Sequence, residues 1–132
     1  MTSQHKLTRN QALVLSALEK AGQPQSAYTI LDQLRDEGLR APLQIYRALE
    51  KLLEMGLVHR LESINSFVAC SHPHSHAHGS AAFAICERCG RVDEFSDQTV
   101  QARLAHWSSE NGFRPRRTTV EIRGECAACA TN

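Results

Sequence analysis

At 132 residues the chain has room for one medium domain or two very small ones, and an apolar share of 42% argues against wholesale disorder. Only 5% of it is aromatic, which suits helices filled with Leu and Ala better than a β-sandwich, and no apolar run approaches the roughly 20 residues of a membrane span. The net charge is +1, with eight basic against seven acidic residues over 1–69 and seven against seven thereafter, so charge alone gives a nucleic-acid partner no support.

The opening stretch, Met1 to Asn10, is polar and lacks the apolar segment of an export signal, so a soluble cytoplasmic protein is expected. Three helical patterns follow. Thr8 is suited to cap the first, with Leu15 and Leu18 on its apolar face and Gly22 as its stop. Ser26 is suited to cap the second, which carries Ile30, Leu31 and Leu34 as burial candidates and ends at Gly38. The third starts near Pro42, acceptable in a first helical turn, and places Ile45, Leu49, Leu52 and Leu53 at helical spacing before Gly56. Residues 57–62 then alternate apolar and polar as a half-buried strand does, Ser63 to Ser66 reads as a turn, and Phe67 to Cys70 as a returning strand. Three short helices and a hairpin are the order of a winged helix-turn-helix, whose third helix enters the major groove. The plain alternative is a helical bundle with an incidental hairpin.

Residues 71–79, Ser-His-Pro-His-Ser-His-Ala-His-Gly, read as a histidine-rich hinge. Beyond it Ala81 to Ile85 predicts a strand, Cys86 to Cys89 a turn, and Gly90 to Phe95 a second strand. Asp97 is suited to cap a helix with Val100, Leu104 and Trp107 at i, i+4 and i+7, and Thr118 to Ile122 alternates as a last strand. The expected class is therefore α+β: a winged helix over 1–70, the hinge over 71–79, and a small α/β domain over 80–132. Neither half has much core, and the second needs a staple or a partner.

Five cysteines in a chain without an export signal argue for metal rather than a disulfide framework. Cys86-x-x-Cys89 and Cys126-x-x-Cys129 together make a closed S₄ site suited to structural zinc, the plain alternatives being reduced thiols or a redox pair. Cys70, His59, the linker histidines and Glu94 add S, N and O donors near the junction of the halves, although each alone has an ordinary explanation in a core, a loop or a surface.

The stretches Gln44 to Leu49, Gly56 to Ser63, Cys86 to Gly90 and Cys126 to Cys129 together resemble the ferric uptake regulator family, most nearly its zinc uptake regulator branch. The resemblance runs from about Leu7 to Cys129 with the motifs in order. It implies a homodimer that, metal-loaded, binds AT-rich palindromes and represses metal-uptake genes. It also implies that Cys86, Cys89, Cys126 and Cys129 hold structural zinc. Regulatory zinc falls to His59, Cys70, Glu94 and one linker histidine, His78 or alternatively His76. Tyr28, Gln44, Tyr46 and Arg47 become the DNA-binding candidates.

Iron-sensing relatives carry a further site, a glutamate in the dimer-domain helix and a histidine in the last strand. The matching positions here are Gln101 and Thr118, poor ligands, which with the Cys70 thiolate favours zinc over iron or manganese. Pro42-Leu43-Gln44 also departs from the more usual proline-threonine start of the third helix. Among rivals, a nucleobase deaminase needs H-x-E with P-C-x-x-C; no H-x-E occurs, and isoleucine precedes Cys86. A zinc buffer or chaperone built on the histidine tract would have no use for a winged helix.

Overall fold

The starts of the helices in the N-terminal half are made by local hydrogen bonds that the sequence encodes. The computed structural model describes residues 6–70 and 80–130, and it divides into two units, Met1–Pro73 and His74–Asn132. In the first, α1 (Arg9–Ala21) opens with a capping box. Thr8 Oγ1 accepts from the Gln11 amide at 3.2 Å, and the Thr8 amide donates to Gln11 Oε1 at 3.1 Å. Gly22 ends the helix at φ 63°, a conformation open to glycine because it has no Cβ. Ser26 caps α2 (Ala27–Leu34), which runs into a 3₁₀ turn over Arg35–Glu37. Then α3 (Pro42–Glu54) buries Ile45, Ala48, Leu49 and Leu52, a single stripe at i, i+3, i+4 and i+7.

Strands β1 (Val58–Leu61) and β2 (Ser66–Ala69) pair antiparallel through a 3₁₀ turn at Glu62–Ile64. Gln25 and Phe67 exchange both backbone hydrogen bonds, at 2.9 and 2.8 Å, and so tie the hairpin to the segment before α2. Val58 and Phe67 complete a core with the buried faces of all three helices. This is a winged helix. In α1 the buried pair is Val14 and Leu18; Leu15, expected on that face, is only partly buried beside the core, as is Leu53 in α3.

The second unit is a three-stranded sheet of order β4-β3-β5 with one long helix. Strands β3 (Ser80–Cys86) and β4 (Val92–Phe95) are antiparallel, and β5 (Thr118–Gly124) returns parallel to β3 after α4 (Gln98–Glu110). Asp97 Oδ1 accepts from the amides of Thr99 and Val100, capping α4 as its position predicts. β3 extends one residue further at each end than expected, and β5 runs on to Gly124, because the parallel ladder continues from Ser80↔Thr118 to Cys86↔Gly124. A short helix, α5 (Ala127–Ala130), follows Cys126 and carries Cys129. Val100, Leu104 and Trp107 do share a face of α4, but all three are exposed and the helix buries nothing.

Candidate metal centres and nucleic-acid surface

The parallel register explains why four cysteines separated by 36 residues meet. Since β3 and β5 run the same way and Cys86 pairs with Gly124, both strands leave the sheet at one end, where each meets its C-x-x-C pair. An antiparallel β5 would have sent the second pair to the opposite end. The Glu87 amide donates to Gly124 O at 2.7 Å, which extends the register into the first turn.

The four sulfur atoms lie within 4.8 Å of one another, and Cys89 Sγ is 3.7 Å from Cys126 Sγ. Tetrahedral zinc with Zn–S bonds of about 2.3 Å needs sulfurs about 3.8 Å apart, so the donor set fits the ion in kind, number and spacing. Amides point at the sulfurs. The Cys126 amide, and then that of Cys89, hold the Cys86 thiol down to about 6, the Cys89 amide lying 3.4 Å from Cys86 Sγ. The Cys126 thiol is lowered as well, first by the Cys129 amide. Cys129 is pushed up to about 12, chiefly by the sulfurs of Cys126 and Cys86. Such a group sheds its first proton readily and its last with difficulty, and a divalent cation removes that conflict.

Arg88 in the first turn pairs with Glu125 beside the second at 3.5 Å, and Arg123 pairs with Glu87 at 3.9 Å. These crossed ion pairs escape a search for ligand residue types; their only signal is opposite charge flanking each C-x-x-C.

In the first unit, His59 sits on β1 and Cys70 directly follows β2. His59 faces Val68 across the hairpin, and the Cys70 amide donates to Leu57 O at 2.9 Å. Two residues of alternation therefore put both side chains on one face, as diagonal neighbours. Their donor atoms lie within 4.8 Å of each other, and His59 Nε2 is buried. In the second unit Glu94 is half-buried on β4, opposite Phe83. The linker candidates His76 and His78 lie outside the described residues. Gln101 and Thr118 line one cavity of about 20 Å³ beneath α4, with Asp97, Phe95 and Leu104. The amide and hydroxyl themselves offer no charged ligand, and Asp97 Oδ1 accepts from the Thr99 and Val100 amides as the cap of α4.

The DNA-binding candidates occupy the exposed side of the helices. Tyr28, on the first turn of α2, is 63% exposed, and Tyr46 and Arg47 project from α3 opposite its buried stripe. Among the described residues Arg47 forms no ion pair, so the alternative pairing with Glu50 is not made. Gln44 is differently placed. Its Oε1 accepts from the amides of Arg40 and Ala41, at 2.9 and 3.1 Å, so it serves as a helix cap and only its amide nitrogen is left for a base. Arg60 on the wing lies over the Phe67 ring at 5.7 Å and donates to Asn65 Oδ1.

The sequence profile of the Ferric uptake regulator family matches residues 2–123. The chain is 40% identical over 125 residues to the zinc uptake regulation protein of Escherichia coli K12, covering 94% of this chain and 72% of that protein. Identity to the ferric uptake regulation protein of the same organism is 31% over 105 residues, covering 77% of this chain and 68% of that protein. The crystal structure of holo XcZur superposes with a TM-score of 0.86 at 42% identity, over 98% of this chain and 90% of that one. A zinc uptake regulator complexed with zinc and DNA gives 0.85 at 38%, over 96% and 84%.

Proposed function

Because the chain belongs to the ferric uptake regulator family, we propose that it is a zinc-responsive repressor, acting as a homodimer on palindromic AT-rich operators of zinc-uptake genes. The observation that carries this reading is a nitrogen and a sulfur donor, His59 and Cys70, side by side on the hairpin that follows the recognition helix. A relative 38% identical has been solved with both zinc and DNA, which supports the same pairing of ligands here. Thiolate and imidazole suit zinc better than the harder ions, and Gln101 with Thr118 offers no charged ligand for another metal.

In this reading Cys86, Cys89, Cys126 and Cys129 hold the structural ion. His59, Cys70, Glu94 and His78, with His76 as the alternative, close on the regulatory one. Residues 71–79 are the hinge between the reader and the dimer domain. Zinc supplies a tetrahedral cross-link at each centre. Ligands drawn from wing, hinge and dimer domain restrict the angle between them, so operator and metal strengthen each other's binding by the same factor. Arg47 reads a base edge, fitting guanine O6 and N7. Tyr46 and Tyr28 add contacts beside it, and Gln44 contributes through its amide nitrogen. The exposed face of Val100, Leu104 and Trp107 is apolar enough to be covered by a second copy. The chain has no catalytic role in this scheme, since four thiolates leave no open zinc position. It works in the cytoplasm; no helix among the described residues is long and apolar enough to cross a membrane.

The test is zinc content by elemental analysis, with a zinc-titrated gel shift, for wild type, Cys70→Ser and Arg47→Ala. Wild type is expected to hold at least two zinc ions per chain, and Cys70→Ser one fewer, with zinc-dependent DNA binding lost. Arg47→Ala keeps its zinc and its dimer but loses operator binding. Equal zinc in wild type and Cys70→Ser, with DNA binding indifferent to added metal, would overturn the sensor.

A further inference from the structure

The recognition helix carries one aliphatic side chain that neither its core nor its cap uses. The stripe that buries α3 is Ile45, Ala48, Leu49 and Leu52, none more than 4% exposed. Leu43, on the first turn, lies outside that stripe and is 56% exposed, the most exposed leucine among the described residues. It stands three and four residues before Tyr46 and Arg47, which places all three on one outward face. A leucine there is costly to leave in water and does nothing for the core.

The side chain next to it narrows its role. In a winged helix the first turns of the recognition helix are the part that reaches base edges. At that end Gln44, the polar residue best suited to read adenine, has its Oε1 committed to the amides of Arg40 and Ala41. It therefore cannot make the two-point contact of a free glutamine, and recognition at this turn passes to Leu43. Leucine has no donor or acceptor for a phosphate or a base edge. The apolar group that a base edge presents in the major groove is the thymine 5-methyl. We propose that Leu43 is a specificity-determining residue that reads a thymine methyl group in each half-site, beside the base read by Arg47. This rests on the DNA-binding reading above and adds to it a residue and the chemical group recognised.

The experiment uses zinc-loaded, full-length homodimer. Duplexes are selected from a random library by the wild type, and in the winning duplex each thymine is replaced in turn by uracil, which removes only the methyl. One symmetric position is expected to weaken wild-type binding about fourfold per half-site, the effect of one methyl group taken out of water, and by about an order of magnitude when both half-sites are changed. Leu43→Ala, and Leu43→Gln as a variant that keeps side-chain length, are expected to bind thymine and uracil duplexes equally, with unchanged zinc content and melting temperature. The assignment is overturned if wild type is indifferent to every uracil. It is equally overturned if Leu43→Ala keeps the wild-type discrimination, or if Tyr46→Phe abolishes that discrimination while Leu43→Ala does not. A wild type that enriches no duplex at all refutes the DNA-binding reading itself, a result distinct from the other three.

Discussion

The two units of this chain solve the problem of small size in different ways. The first closes a core of its own: twelve buried residues drawn from α1, α2, α3 and the hairpin, together with Leu39, pack into one cluster. The second buries Ala81, Ala82, Phe83, Ile85 and Cys86, all on the central strand β3, while α4 buries nothing. Phe83 is the only large aromatic side chain buried among its described residues; Trp107 and Phe113 lie 59% and 60% exposed, their ring centroids 6.2 Å apart. A segment of this size cannot offset its conformational entropy with one buried strand. The first unit is thus held by hydrophobic packing, and in the proposed reading the second is stabilised by a metal cross-link and a second copy of the chain.

That contrast can be broken most severely at the cysteines. Cys86→Ser, or stripping the wild type with a strong chelator, is expected to abolish amide-exchange protection in β3 and β5 and dissociate the dimer, while α1 to α3 stay protected. Zinc in small stapled domains supplies about 10–16 kcal/mol of folding energy, so nothing else in the second unit should compensate. Undiminished protection there after metal removal would mean that the unit folds without its staple. A smaller effect sharpens the other side of the comparison. Leu52, fully buried in α3, should cost about 2–5 kcal/mol when cut to alanine. Calorimetry would then show the first unit melting earlier with zinc content unchanged.

Leu104, 42% exposed on α4, should behave in the opposite way. Leu104→Ala is expected to shift the melting of the isolated protomer by less than about 1 kcal/mol but to raise the dimer dissociation constant measurably in sedimentation equilibrium. Unaltered self-association would remove α4 from the interface. The smallest expected effect lies at the caps. Ser26→Ala and Asp97→Ala each remove an acceptor for helix amides and should cost about 1 kcal/mol, Ser26→Ala in the first unit and Asp97→Ala in the second. Equal losses in both transitions would show that the units do not melt separately.

Much of this organisation was legible because its causes are local. Thr8, Ser26 and Asp97 cap the helices they precede, Gly22 stops one, and the α3 stripe appears at the spacing its sequence predicts. Leu15 does pack against the core from α1 but only partly buried, the fully buried place going to Val14. Gln44 has a role that its residue type does not announce: only the path of the backbone at Arg40 and Ala41 makes it a cap as well as a candidate base reader. The exposure of α4 was not legible either, since apolar spacing reports which residues share a face and not whether anything covers it.

The sequence by itself determined the local chemistry: helix ends, the strand alternation of the wing, the two C-x-x-C pairs and the identity of the candidate ligands. Each of these depends on residues within a few positions of one another, where spacing and side-chain chemistry suffice. The tertiary structure alone decided that β5 returns parallel to β3, which brings Cys126 and Cys129 to Cys86 and Cys89, and that the hairpin register sets His59 and Cys70 on one face. Those outcomes depend on strand direction and on a register slip of a single residue, either of which would move the same side chains to the opposite end or face of the sheet.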